Sequence, residues 1–115
     1  MAVLTNKTID DEIFERQAQI CKAFAHPGRL RILDFLGKGE RGVSDLQREL
    51  GFSKTSISQQ IAILKSAGVL STRRNGKQIY CSLAIPEVKV ACQLIRGVLR
   101  AQIAASNRLH EPLEE

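Results

Sequence analysis

The 115-residue sequence predicts a mainly α-helical domain with one small β-hairpin, in the order of four helices, two strands and a long final helix. Apolar residues recur at helical spacing over most of the chain, whereas residues 69–83 alternate between apolar and polar. Glycine, proline and capping residues separate these segments. A chain of this length is sufficient for one hydrophobic core. The sequence therefore predicts a single domain in which helices predominate.

The first two helices are predicted between residues 8 and 36. Thr8 followed by Asp11 is typical of a helix start, and His26-Pro27 predicts the end, because the residue before proline is disfavoured in helical backbone. One apolar face of this helix comprises Phe14, Ala18, Cys21 and Ala25. A short second helix follows, and the Gly-Lys-Gly run at 37–39 predicts its end.

The third and fourth helices are predicted to be short and closely linked. Ser44 with Gln47 matches a capping box, which predicts a third helix that ends at Leu50 and is closed by Gly51. Ser53 then caps a fourth helix, and Gly68 ends it. Two helices of this size with so short a link are typical of a helix-turn-helix.

The remaining chain predicts a hairpin and a last helix. Asn75-Gly76 lies in the middle of the alternating stretch and is a strong hairpin signal. One face of the second strand comprises Ile79, Cys81 and Leu83, which we expect to be buried. Pro86 suits the first turn of the final helix. The apolar stripe of that helix comprises Val88, Cys92, Ile95, Leu99 and Ile103.

The charge distribution indicates a polyanionic partner. The net charge is +5, and no Asp or Glu lies between Glu49 and Glu87. That acid-free stretch carries five basic residues, which are Lys54, Lys65, Arg73, Arg74 and Lys77. A basic block on an otherwise balanced chain is typical of a nucleic-acid-binding surface, with a merely solvated basic face as the alternative.

Several other classes of protein are disfavoured by the composition. No apolar run approaches the roughly 20 residues needed to cross a bilayer. The first residues, Met-Ala-Val-Leu-Thr-Asn-Lys, are too few and too polar for a signal peptide. Three widely spaced cysteines do not suggest a disulfide framework. We therefore expect a cytoplasmic protein with reduced thiols, no membrane partner and no cofactor.

The fourth helix and the hairpin together form the predicted DNA-binding surface. Ile57, Ile61 and Leu64 share the core side of the helix, and the opposite side is polar, short and free of acids. Such side chains allow a helix to approach base edges, and a basic hairpin beside it is a wing placed to hold phosphates. The candidate DNA-binding residues are Ser53, Lys54, Thr55, Ser56, Ser58, Gln59 and Gln60 on the helix, and Arg73, Arg74, Asn75 and Lys77 on the wing.

Three segments carry a resemblance to a known family. The segments AHPGRLRILDFL, SISQQIAILKSAGVL and RRNGKQIY resemble the ArsR/SmtB family of bacterial winged-helix repressors, over about residues 23–99. The resemblance implies a winged helix-turn-helix that binds a near-palindromic operator as a homodimer, through its first and last helices, and that an inducer releases. We expect an N-terminal arm at 1–7, the DNA-binding and dimerisation domain at 8–109 and an acidic tail at 110–115.

The metal sites of this family are not expected here. Its metal sensors often carry two thiols in the run that opens the third helix, and those positions are Gly42 and Ser44 in this chain. The four zinc-site positions of other members correspond to Ile85, Glu87, Val98 and Ala101. One carboxylate does not satisfy the four-ligand demand of zinc. The sequence therefore predicts no metal site.

The cysteines leave two alternatives open. Cys81 is expected to be a core residue. Cys21 and Cys92 lie on the two helices that should form the dimer, where a thiol-reactive signal (oxidant, reactive sulfur or arsenite) would act on them as a candidate sensor pair. Thiol-sensing relatives place their pair near Leu33 and Arg100 instead, so the correspondence fails residue by residue. A structural role in packing is the alternative.

Three functions are alternatives to a repressor that an inducer releases. A winged-helix protein-interaction module or a DNA-binding regulator without an effector would have the same fold, but the acid-free face argues against the former. An enzyme is disfavoured because the chain has no Cys-x-x-Cys, no phosphate-binding glycine loop and no nucleophile–base pair. The sequence therefore favours a DNA-binding repressor and not an enzyme.

Overall fold

The computed structural model of the chain describes residues 8–114, with side chains for residues 8–107. In chain order the helices and strands are α1 (Ile9–Phe24), α2 (Pro27–Leu36), β1 (Arg41–Gly42), α3 (Val43–Leu50), α4 (Lys54–Ser66), β2 (Leu70–Asn75), β3 (Gln78–Leu83) and α5 (Pro86–Glu114). The expected N-terminal arm, residues 1–7, lies outside the described residues. Helix α5 continues through residues 110–114, which belong to the range expected to form the acidic tail.

The junction between α1 and α2 depends on His26. Helix α1 begins at the predicted start, Thr8, where Thr8 and Asp11 exchange side-chain and backbone hydrogen bonds and so form a capping box. His26 adopts extended backbone after α1, and its Nδ1 accepts hydrogen bonds from the N–H groups of Gly28 (3.0 Å) and Arg29 (3.4 Å). His26 therefore does more than end α1, because its imidazole caps the next helix.

The predicted capping box at the start of α3 is wrong. Helix α3 begins at Val43, Gly42 occupies the N-cap, and no side chain caps the helix. The cause is a short strand that the sequence analysis missed: β1 pairs antiparallel with β3, with Arg41 opposite Cys81. This pairing holds Gly42 in extended backbone at the position where the helix must start. Ser44 consequently lies inside the helix.

The hairpin is confirmed, but its loop lies one residue later than expected. Asn75 pairs with Gln78, so the loop consists of Gly76 and Lys77. Gly76 has φ +65°, which suits the first position of a two-residue turn, where glycine is favoured. With β1 the hairpin forms a three-stranded antiparallel sheet in the order β1-β3-β2.

The core lies between α2, α3, α4 and the inner face of the sheet. Its most enclosed side chains are Ile32, Leu33, Leu46, Ile57, Leu64 and Cys81. Helix α5 contributes Val88, whereas α1 contributes only Ala23 and Phe24 at its end, and residues 8–22 are all exposed. No helix of the described residues is long and apolar enough to span a membrane. The arrangement leaves most of α1 and the outer part of α5 outside the core.

Candidate nucleic-acid interface

The turn between α3 and α4 sets the start of the predicted reading helix. Gly51 ends α3 in left-handed backbone (φ +75°). The hydroxyl of Ser53 accepts a hydrogen bond from the N–H of Ser56 at 3.1 Å and so caps α4. The first N–H groups of a helix have no partner within the helix, and Lys54 stands beside them. This end of α4 therefore presents donors and a positive charge to an anion.

Helix α4 is divided into an apolar and a polar side, as predicted. Ile57, Ile61 and Leu64 are buried. The other side carries Lys54, Thr55, Ser58, Gln59 and Ala62, which are exposed, and Ser56 and Gln60, which are half-buried. The hydroxyl of Ser58 donates to the carbonyl of Lys54 at 3.0 Å. Between Lys54 and Lys65 this side of the helix is thus uncharged and mostly short, which suits close contact with base edges.

The basic residues of the wing have two different environments. Arg73 donates from Nε and Nη2 to the two carboxylate oxygens of Glu40, each at 2.7 Å, and its guanidinium lies 4.7 Å from the ring centroid of Tyr80. Arg74 and Lys77 are exposed and form no hydrogen bond or ion pair with any residue that the structure describes. The predicted wing cations are therefore not equivalent.

The contact between Arg73 and Glu40 changes the ionisation of both groups. Hydrogen bonding to Arg73 holds the pKa of the Glu40 carboxyl below its usual value, with charge attraction as a smaller cause. The same hydrogen bonds raise the pKa of Arg73 further. Both groups are charged at neutral pH, so the pair is an ion-paired connection between the wing and the loop that precedes β1.

A groove joins α3, α4 and the wing. Its lining includes Lys54, Ile57, Ser58 and Lys77, together with Val43, Ser44, Gln47, Gln78 and Ile79. The sequence predicts a capping role for Ser44 and Gln47. Because Gly42 occupies the cap, both side chains lie in this groove instead. Ser44 and Gln47 are polar residues on either side of the buried Leu46, and this sequence pattern indicates a polar, accessible face of α3.

Ile79 departs from the predicted strand pattern. Cys81 is fully buried and Leu83 is half-buried, as that pattern indicates. Ile79 shares their face but is 38% exposed, because the hairpin extends beyond the core there. This apolar side chain therefore lies in the groove beside Lys77 and Gln78 rather than in the core.

The wing and α4 are also connected directly. The ammonium group of Lys65, in the last turn of α4, donates to the hydroxyl of Thr72 at 2.9 Å. Thr72 and Arg73 are successive residues of β2, so their side chains lie on opposite faces of the strand. One face of β2 is therefore attached to α4 and the other to Glu40, which fixes the wing relative to the reading helix.

The three cysteines differ in accessibility. All are free thiols, with Cys21 exposed, Cys92 half-buried and Cys81 buried. Burial raises the pKa of the Cys92 thiol, while Arg96 opposes that change and Asp34 supports it. Burial raises the pKa of Cys81 to about 11. Within residues 8–107, no three His, Cys, Asp or Glu side chains are grouped so that they could hold a metal ion.

The fold and this surface define a class of protein. A short helix pair with a polar, acid-free second helix, a basic hairpin beside it and a further helix after the hairpin constitute a winged helix-turn-helix of the DNA-binding type. The model of the arsR family of bacterial regulatory proteins matches residues 26–72.

Relatives of known sequence extend this match over most of the chain. An HTH-type transcriptional regulator of Mycobacterium tuberculosis strain H37Rv is 33% identical over 90 residues, which cover 77% of this chain and 79% of the relative. The biofilm growth-associated repressor of Xylella fastidiosa strain Temecula1 is 37% identical over 81 residues, covering 70% and 68%. The chain belongs to the ArsR family and is a DNA-binding transcriptional regulator, not an enzyme.

A solved structure supports the same assignment. The winged helix-turn-helix DNA-binding domain of a possible ArsR-family regulator from Mycobacterium bovis, which is homodimeric, matches with a TM-score of 0.75 and 32% identity. The match covers 80% of this chain and 85% of that domain. The predicted family and fold are thereby confirmed.

Proposed function

We propose that the protein represses transcription by binding a near-palindromic DNA operator as a homodimer. In this proposal the α4 helix of each subunit lies in a major groove of the DNA, and each wing contacts the neighbouring DNA backbone. Half-sites are then spaced by one helical turn, about 34–36 Å, or a multiple of it. The observation that carries the proposal is the surface formed by α4 and the wing, which is polar, basic and free of unpaired carboxylates.

The side chains of this surface divide into two roles. Ser56 and Gln59 on α4 have the hydrogen-bonding groups that distinguish base pairs, with Thr55 and Ser58 beside them. Lys54, Arg74 and Lys77 are exposed cations suited to phosphates. We assign Asn75 at the wing tip and Ser53 at the helix cap to backbone contacts as well. Ser44 and Gln47 extend the surface onto α3.

A homodimer is supported by the apolar residues that the single chain leaves exposed. On α1 these are Ile9, Ile13, Phe14 and Ile20, and on α5 they are Val90, Leu94, Ile95, Val98, Leu99 and Ile103. Isolated apolar residues on a surface are ordinary, but two helices with apolar stripes favour burial against a partner. The mycobacterial domain that resembles this chain is homodimeric, and relatives from Xylella and Agrobacterium are repressors.

The test is the salt dependence of DNA binding. The specific probe is a duplex selected from a random library by the wild-type protein, and the control duplex has the same composition in scrambled order. We expect two chains per selected duplex and an affinity that falls about 10³–10⁵-fold between about 50 and 200 mM salt. The double substitution Arg74→Gln with Lys77→Gln removes about four phosphate contacts per dimer and should lower the salt slope by roughly 3–4.

A matched charge change outside the surface controls for net charge. Lys38 and Lys89 both line the cleft between α2 and α5, and the double substitution Lys38→Gln with Lys89→Gln should leave the slope unchanged. An unchanged slope in the double variant would remove the wing from the interface. No preference for the selected duplex would instead favour the protein-interaction module.

A thiol-operated release is the second candidate. Exposed Cys21 and half-buried Cys92 lie on the two helices that we assign to the dimer, so a covalent change at either one would disturb the interface. The raised pKa of Cys92 disfavours its reactive thiolate and supports the alternative of a packing role for that residue. The accessible Cys21 is therefore the better candidate for the first reaction with a thiol-reactive inducer.

A further inference from the structure

One arginine connects the C-terminal end of α1 to the reading helix. Arg29, in the first turn of α2, donates from Nε to the carbonyl of Ala23 at 2.6 Å and from Nη2 to the carbonyl of Lys22 at 3.2 Å. Its remaining nitrogen, Nη1, donates to Oε1 of Gln60 on α4 at 3.0 Å. A single planar guanidinium thus contacts α1 and α4 from α2.

The position of this bridge gives it a mechanical role. Lys22 and Ala23 belong to the last turn of α1, where carbonyl groups lack the usual helical partners, although the Lys22 carbonyl also accepts from the N–H of the C-cap residue Ala25 at 3.1 Å. A cleft separates that turn from the end of α4, lined by Gln19, Lys22, Ala23, Arg29, Ile63, Ser66 and Ala67. Because Arg29 lies across the cleft, a displacement of the end of α1 pulls on Gln60 through hydrogen bonds of fixed geometry.

Gln60 differs from its neighbour Gln59 in this respect. The side chain of Gln59 is exposed and forms no hydrogen bond with the described residues, so it is free for DNA. Gln60 is half-buried, and its oxygen is already engaged by Arg29. Arg29 holds this amide in one orientation and leaves its oxygen one lone pair, so a paired contact to adenine would compete with the bond to Arg29. The two adjacent glutamines therefore have different tasks.

We propose that Arg29 is a positioning residue that couples the dimer-forming helix α1 to the orientation of α4, with Gln60 as its partner rather than a base-reading side chain. This inference rests on the proposed function, since it concerns how the reading helix is aimed. It replaces the sequence-based assignment of Gln60 as a DNA contact. It also gives α1, which carries Cys21 next to Lys22, a direct connection to the DNA-binding surface.

The experiment compares matched substitutions at the two glutamines. Gln60→Met has a similar shape but no hydrogen-bond acceptor for Arg29, whereas Gln60→Glu keeps an acceptor oxygen there. Gln59→Met and Gln59→Glu are the controls, with the same net charge changes. Affinity is measured for the selected and scrambled duplexes, and thermal unfolding is followed separately to detect loss of stability.

We expect Gln60→Met to weaken binding to the selected duplex by about two- to thirtyfold, which corresponds to a coupling of about 0.5–2 kcal/mol. Gln60→Glu should recover most of that loss, because its charge is paired with Arg29. Gln59→Glu should instead bind more weakly than Gln59→Met, because its carboxylate faces phosphates. The opposite order at position 60, with Glu weaker than Met, would overturn the proposal.

A double-mutant cycle distinguishes the bridge from a general loss of stability. In the Arg29→Gln background, Gln60→Met should have no further effect on selected-duplex affinity, whereas Gln59→Met should retain its full effect. If the effects of Arg29→Gln and Gln60→Met on selected-duplex affinity were additive, the proposed coupling through Arg29 and Gln60 would be refuted. If the Gln59 variants also left discrimination unchanged, the failure would lie with α4 as the reading helix and hence with the proposed function.

Discussion

The side chain of Cys81 has no exposed surface, and it lies in β3 between Arg41 of β1 and Thr72 of β2. Burial raises the pKa of its thiol to about 11, from an ordinary value of 9.0. The nearby Glu40 carboxylate acts in the same direction, and Lys65 opposes both. The thiol therefore stays protonated at neutral pH, and an inert structural role follows from its position.

The raised pKa predicts a loss of stability at alkaline pH. Between pH 9 and about 11 the unfolded chain releases the Cys81 proton while the folded chain retains it, so the free energy of unfolding falls as the pH rises. The two-unit shift corresponds to at most roughly 3 kcal/mol. Urea unfolding at pH 8 and pH 10 captures about half of this loss, and Cys81→Ala is the control in which other alkaline titrations persist. An equal loss in both proteins would contradict the assignment.

At the scale of elements, Arg73 attaches the wing to the loop that precedes β1, through its two hydrogen bonds to Glu40. We predict that Glu40→Gln and Arg73→Gln weaken DNA binding to a similar extent, and that the double variant is no weaker than either one, because both single changes break the same contact. The salt slope should fall much less for Glu40→Gln than for Arg74→Gln. Duplex titrations at two salt concentrations provide the comparison.

Acid titration gives an independent measure of the same contact. The pKa of Glu40 is lowered in the folded protein, so the contact contributes above the carboxyl's unfolded pKa and is lost as the pH falls through the lowered value. Carbon-13 NMR of the carboxyl group should show this pKa returning toward its ordinary value in Arg73→Gln. A Glu40 carboxyl that titrates alike in both proteins would mean that the contact is absent in solution.

The elements whose signals are local were predictable from the sequence. The Thr8 helix start, the Gly51 and Ser53 caps and the two sides of α4 each depend on residues a few positions apart, and the structure confirms them. Strand β1 was missed because its two residues gain their structure from β3, about 40 positions later. The shift of the α3 cap to Gly42 is a consequence of the same pairing.

The candidate site was predictable to a similar degree. Helical periodicity determines the face of α4 that is exposed, and the predicted residues on it are exposed except Ser56 and Gln60, which are half-buried. Partners from distant elements were not: the Glu40 contact of Arg73 and the Arg29 contact of Gln60 span 33 and 31 positions. Sequence patterns predict which residues form the surface of α4 and the wing. Which of those residues are free to bind DNA, and which are engaged by other elements, depends on tertiary contacts.

At the scale of the whole molecule, the two candidate sensor cysteines lie on the helices proposed to form the dimer, so a reaction there would act on the proposed DNA-binding surface. We predict that oxidant, polysulfide or arsenite weakens binding to the selected duplex, and that Cys21→Ser or Cys92→Ser abolishes this response. Cys81→Ser should retain it, because the buried thiol cannot react. The physical reason for the weaker DNA binding is that small shifts at a packed interface are amplified into rotations of whole domains. The assay compares reduced and treated protein for each variant.

The DNA affinity of the wild-type protein, before and after treatment with each thiol reagent, decides this prediction. If its affinity is the same after every thiol reagent, Cys21 and Cys92 are packing residues and the protein acts without a thiol-reactive inducer. If Cys81→Ser alone abolishes the response, the reactive thiol lies in the core and the dimer is not the element that responds.

The position of Tyr80 makes the wing optically distinct from the rest of the protein. The chain contains one tyrosine and no tryptophan, so its intrinsic fluorescence originates at a single ring in β3. That ring lies beneath the Arg73 guanidinium, and its hydroxyl donates to Oε1 of Gln78 at 3.1 Å. Emission intensity and anisotropy therefore follow the release of Arg73 from the ring without any attached label. The protein carries a native reporter at the edge of the surface where we expect DNA to bind.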